Sequence, residues 1–205
     1  MKTLVIGVHG FNSDGHYINN LAPYFIKAGY DFQPFIYGKA AYTSLGNVIA
    51  NRFRTKRVFN ELAQVVINSK AQDVILVCHS HGLRLSWGVQ QVCNNVKGVI
   101  AFNGALDTHL YEKGEKLPMV GYVPKKVPIT FRSWVINCYC PTDYTLKIGA
   151  KLRPCSRWGC FGAVRNECAN NLDLSLYGVK GHSDFLEHLD DIMPDVIEAI
   201  PEGNQ

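Results

Sequence analysis

Long hydrophobic runs are the first thing missing from this sequence. Nowhere in its 205 residues do apolar positions approach the ~20 in succession that a membrane-spanning helix requires. Excess charge is missing too: 21 Lys and Arg stand against 17 Asp and Glu, and a net charge of +4 is too mild to mark a nucleic-acid binder. The densest basic run, Arg52-Phe53-Arg54-Thr55-Lys56-Arg57, falls on a predicted helix and reads as its solvated face. A zinc knuckle is also absent. Of seven cysteines, Cys138, Cys140, Cys155, Cys160 and Cys168 fall within 31 residues, yet none forms a Cys-x-x-Cys pair. Scattered thiols or an opportunistic disulfide are expected there, with no metal and no organic cofactor. Internal repeats and low-complexity segments are absent as well.

The opening MKTLVIGVHG has a lysine and then a short apolar run, but that run passes straight into His9-Gly10 without a cleavage-like pattern of small residues. It reads as a first strand, and a cytoplasmic protein with reduced thiols is the expectation.

What is present is an ordinary soluble composition, 47% hydrophobic and 19% charged, in a chain long enough for one domain with a real core. Strand and helix patterns alternate along it. Thr3 to Val8 is continuously apolar, as a strand buried on both faces must be. Ile18, Leu21, Ala22, Phe25 and Ile26 repeat at helical spacing, with Pro23 tolerable only near the first turn and Gly29 placed to end the helix. Asp31 to Tyr37 is a second strand. Ser44 can cap a long helix whose apolar face holds Leu45, Val48, Ile49, Val58, Leu62, Val65 and Val66.

Val74 to Cys78 is a third strand, followed by a helix through Leu83, Trp87 and Val92 and a fourth strand at Val99 to Phe102. Residues 105 to 130, rich in Lys, Gly, Pro and Tyr, read as a loop or short cap insertion. Ser133 to Tyr139 and, more weakly, Leu172 to Tyr177 are further strands. A last helix through Phe185, Leu189, Ile192, Met193, Val196 and Ile197 is open to a break at Pro194.

This alternation predicts an α/β domain over 1–205: a mostly parallel sheet with right-handed crossovers and helices on both faces. Ligands bind such sheets at the carboxyl ends of the strands. Unusual polar residues gather at those ends. His9 follows the first strand, Ser80 the third, Asp143 the fifth and His182 the sixth.

A serine hydroxyl attacks only if a base takes its proton. In Val77-Cys78-His79-Ser80-His81-Gly82 a serine sits where a strand turns into a helix. The turn is tight, so its flanking positions must be small, and Cys78 and Gly82 are. The base belongs on a later loop, and His182 in Val179-Lys180-Gly181-His182-Ser183-Asp184 is the candidate. Asp143 is the candidate acid that holds its tautomer, with Asp107 as rival. Asp184 is too near His182 in sequence to orient it and suits a first helical turn. Two backbone N–H groups must meet the oxyanion, that of His81 and one from the loop after the first strand, taken as Phe11. His9 then shapes that loop, and the side chains of His79 and His81 are given no proton to move.

With "VHGFNSDG" after the first strand, the elbow "VCHSHG", and late loops in the order Ser…Asp…His, the sequence resembles the α/β-hydrolase superfamily, in particular its small lipase- and esterase-like serine hydrolases. The likeness covers roughly residues 3–37, 72–104, 133–145 and 172–198. It implies a parallel sheet flanked by helices and chemistry through an acyl-enzyme. Two departures stand out: cysteine in place of the first elbow glycine, and no initial antiparallel hairpin. The expectation is a serine hydrolase of a small-molecule carboxylic ester or thioester, with an amidase or peptidase variant behind it, and an open site without a large lid. A non-catalytic binding module on the same fold is the alternative from another class.

Overall fold

The strands of the central sheet are short, and β3 (Val74–His79) is apolar up to its last residue, His79, because all of it is buried. Its side chains alternate between two cores. Val74, Leu76 and Cys78 face one, while Ile75 and Val77 face the other. The computed structural model describes residues 3–10, 13–38, 45–107, 109–117, 121–151, 159 and 169–201.

Around β3 the sheet is built from β1 (Leu4–Val8), β2 (Asp31–Phe35), β4 (Val96–Phe102), β7 (Trp134–Tyr139) and β8 (Ala169–Asp173). The order is β2-β1-β3-β4-β7-β8, with every pair parallel. The first core lies under α2 (Leu45–Asn68) and α3 (Gly82–Val92), which contribute Val58, Leu62 and Val66, and Leu83, Leu85 and Val89. The 3-10 turn His16–Leu21, α1 (Ala22–Lys27) and the last helix, α5 (Leu189–Glu198), close the second with Ile18, Leu21, Phe25, Ile192, Met193 and Val196. Helices therefore cover both faces, as the alternation predicts. Of the face predicted for α2, the side chains of Leu45, Val48 and Ile49 lie outside those described, as does Ser44. Among the described residues, no helix is long and apolar enough to cross a membrane.

The structure sharpens three local readings. Within the loop or short insertion expected at 105–130, β5 (His109–Leu117) and β6 (Gly121–Pro128) form an antiparallel two-stranded ribbon. Both strands of a two-stranded ribbon are edge strands, where proline is tolerated, so Pro124 and Pro128 suit it. The last strand ends at Asp173, and Leu174–Tyr177 is a 3-10 turn instead of more strand. Asp173 causes this, because its carboxylate accepts the N–H of Ser175 at 2.9 Å and caps the turn. Finally, α5 runs through Pro194 unbroken. The carbonyl that loses its partner belongs to Asp190, which is exposed, so water can satisfy it while Ile192, Met193 and Val196 stay buried.

Candidate active site

At the carboxyl end of β3 the backbone turns sharply. Ser80 has φ +54°, a left-handed conformation that costs a non-glycine residue of order 1–3 kcal/mol and is kept only where the surroundings enforce it. Here they do. The Ser80 N–H donates to the carbonyl of Phe102 at 3.1 Å, and the Ser80 carbonyl accepts the N–H groups of Ala105 at 2.8 Å and Leu83 at 3.2 Å. The turn is pressed against the end of β1. A Cβ on Gly82 would stand 2.5 Å from the Val8 carbonyl oxygen and 3.0 Å from that of His9. Backbone cannot step aside cheaply. Gly82→Ala is expected to destabilise the fold by at least about 2 kcal/mol, lowering Tm by roughly 4–8 °C in thermal denaturation.

Cys78, at the other small position, is fully buried, and its Sγ lies 3.3 Å from the Ile100 carbonyl. Burial pushes its thiol up to about 12, which makes it a neutral packing group.

From this elbow a chain of hydrogen bonds runs across the strand ends. The Ser80 hydroxyl meets His182 Nε2 at 2.8 Å, and His182 Nδ1 meets Asp143 Oδ2 at 2.6 Å. A carboxylate only accepts, so Nδ1 carries the proton and Nε2 is left to accept from Ser80. Asp143 is completely buried and immediately precedes α4 (Tyr144–Lys151), where its second oxygen, Oδ1, accepts the N–H of Leu146 at 3.0 Å. One carboxylate thus caps a helix and fixes an imidazole, and the helix N-terminus favours its negative charge.

Asp107 does not take that place, because the single Nδ1 proton of His182 is directed at Asp143. Asp184 begins the 3-10 turn Asp184–Glu187, and its carboxylate accepts the Lys180 N–H at 3.3 Å. His81 stands at the N-terminal boundary of α3. Phe11 lies outside the described residues, and so do Cys155, Cys160 and Cys168. Cys138 and Cys140 are buried free thiols.

His9 is buried, as a shaping residue would be. Its Nε2 accepts the N–H of Tyr37 at 3.1 Å, the rings stack at 3.9 Å, and the Tyr37 hydroxyl donates to the His9 carbonyl at 2.7 Å. Tyr17 and Asn103 are residues that sequence reasoning missed. The Tyr17 hydroxyl lies 2.7 Å from His79 Nδ1, and Asn103 Nδ2 lies 2.9 Å from the His182 carbonyl. Asn103 had a signal: it directly follows β4, at a strand end like Ser80. Tyr17 had none: it lies just past the motif after the first strand, in the 3-10 turn His16–Leu21, and nothing local ties it to His79.

No protein-family model matches the sequence, and no curated protein matches it significantly. Solved structures do. A candidate hydrolase from Agrobacterium vitis S4 superposes with a TM-score of 0.60 at 16% identity, covering 98% of this chain and 88% of its own. The chain has the α/β-hydrolase fold. An extracellular alpha/beta-hydrolase from a Paenibacillus species superposes with a TM-score of 0.53 at 13% identity over 97% of both chains. The pyrethroid hydrolase PytH does so with a TM-score of 0.55 at 12% identity, again over 97% of both. Within the α/β-hydrolase fold, the Ser80, Asp143 and His182 loops all lie at the carboxyl ends of the parallel strands, where open α/β sheets bind ligands.

Proposed function

We propose that the protein is a serine hydrolase that cleaves a carboxylic ester or thioester through an acyl-enzyme. Ser80 is the nucleophile, His182 the general base and then the general acid, and Asp143 the group that orients His182. What carries this reading is the continuous run from the Ser80 hydroxyl to His182 at 2.8 Å and on to Asp143 at 2.6 Å, with the serine held at a positive φ. A partly buried polar chain anchored on a fully buried carboxylate is costly to assemble and serves no packing need.

As Ser80 Oγ attacks the acyl carbon, its proton passes to His182 Nε2, and the resulting imidazolium is stabilised by Asp143. The carbonyl oxygen becomes an oxyanion, met by the backbone N–H of His81 at the start of α3 and by that of Phe11. The proton on Nε2 then goes to the departing alkoxide or thiolate. Water, deprotonated by the same nitrogen, attacks the acyl-enzyme and releases the acid. No step calls for a metal or an organic cofactor.

Fluorophosphonates phosphonylate a serine only when its hydroxyl is activated. The wild-type protein is expected to gain one phosphonyl group, which peptide mass spectrometry should map to Ser80. An unmodified protein after prolonged exposure, or a label at another residue, would sink the reading.

A further inference from the structure

The imidazole of His182 is held by Asp143, but the backbone of its loop is held by something else. Its carbonyl oxygen lies 2.9 Å from His79 Nε2 and 2.9 Å from Asn103 Nδ2. Asn103 Nδ2 also reaches the Gly181 carbonyl at 3.2 Å, so both of its amide hydrogens have acceptors. His79 ends β3 and Asn103 directly follows β4. Asn103 takes φ +45° and donates its own N–H to the Cys138 carbonyl at 2.9 Å, which anchors it to β7. Two adjacent strand ends therefore grip one carbonyl of the loop that carries the proposed base.

The polarity of this network follows from its two ends. The Gly10 N–H, which can only donate, meets the Tyr17 hydroxyl oxygen at 2.8 Å. The His182 carbonyl can only accept, so His79 Nε2 must bear a proton. In a neutral ring Nδ1 is then the acceptor, and the Tyr17 hydroxyl must donate to it across 2.7 Å. One unbroken path results: Gly10 N–H to Tyr17 O–H to His79, and His79 Nε2–H to the His182 carbonyl.

We propose that Tyr17, His79 and Asn103 are positioning residues that set the His182 loop in register with Ser80, with His79 locked as the neutral Nε2–H tautomer. The proposal rests on the serine-hydrolase reading for its kinetic consequence, but not for its geometry. Burial holds His79 neutral by drawing its pKa down to about 3, and the Tyr17 hydroxyl, also desolvated, is raised to about 12. Neutrality matters because the two imidazoles are only 4.8 Å apart, and a charge on His79 would oppose the imidazolium that His182 must become. The path also ties the loop after β1, which supplies one proposed oxyanion donor, to the loop supplying the base. Misplacing a catalytic group by about 1 Å can cost ~10²-fold in rate, so gripping the backbone is an effective control.

Two readouts on the full-length protein test this. Nitrogen-15 NMR of histidine-labelled protein should show His79 protonated at Nε2, with an acceptor-type Nδ1 whose shift moves in Tyr17→Phe. In hydrolysis of a short nitrophenyl ester, His79→Leu and Asn103→Leu should lower kcat about 10- to 100-fold while KM changes less than about threefold. His79→Gln, whose amide can still donate to the carbonyl, should recover most of the loss. A His79 protonated at Nδ1 overturns the proposal, and so does equal impairment by Gln and Leu. Should the wild type neither hydrolyse esters nor label with fluorophosphonate, the hydrolase reading fails by itself. The network is then decided by whether His79→Leu shifts the His182 Nδ1 proton resonance; an unmoved resonance overturns it.

Discussion

Ser80→Ala and His182→Ala are each expected to lower kcat for an ester substrate by about 10⁵- to 10⁶-fold, and the double variant no further. The lack of additivity is the informative part. A serine hydroxyl without a base is nearly inert, and a base without the hydroxyl has no proton to take, so removing either removes the same step. Two residues acting independently would multiply their losses. The fold should survive both changes: Ser80 and His182 are only partly buried, and the elbow is held by backbone bonds to Phe102, Ala105 and Leu83 that alanine keeps. Steady-state kinetics with circular dichroism as the folding control settles it. A Ser80→Ala protein that keeps more than about a hundredth of wild-type turnover would end the proposed mechanism.

Asp143→Asn should cost about 10⁴-fold in kcat, whereas Asp107→Asn should leave turnover within about threefold. The reason lies in what Asp143 does with its two oxygens. Oδ1 accepts the Leu146 N–H, so in the asparagine variant the amide oxygen stays there and the NH₂ group turns to His182. An NH₂ facing Nδ1 makes that nitrogen an acceptor and moves the ring proton to Nε2, which can then no longer accept from Ser80. The variant would be folded, with its helix cap intact, and would hold the wrong tautomer. Equal losses in both variants would falsify this account, as would a loss confined to Asp107→Asn.

Much of this was legible in the sequence because burial on both faces leaves a plain mark. Thr3–Val8 and Val74–Cys78 are apolar without alternation, and only a strand between two helical layers is built that way. The elbow was legible for a steric reason, since Ser80 between the small residues Cys78 and Gly82 matches the room left beside the Val8 and His9 carbonyls. Other elements were masked. Within 105–130, His109–Leu117 and Gly121–Pro128 pair as a ribbon although Lys, Gly and Pro hide the strand pattern, because cross-strand pairing is set by a partner that local composition does not reveal. The break left open at Pro194 does not occur, since burial of its neighbours outweighs one missing hydrogen bond.

Local pattern alone carries the α/β class, the sharp turn at Ser80 and the short list of candidate acids and bases near strand ends. Sheet order and register bring Asp143 rather than Asp107 to His182, and His79 and Asn103 to the loop that carries it, with Tyr17 hydrogen-bonded to His79. Those contacts join residues 39 to 103 positions apart in the chain. Local pattern records which face of an element is buried, whereas hydrogen-bond partners across strand ends depend on sheet order and register, which no local stretch encodes.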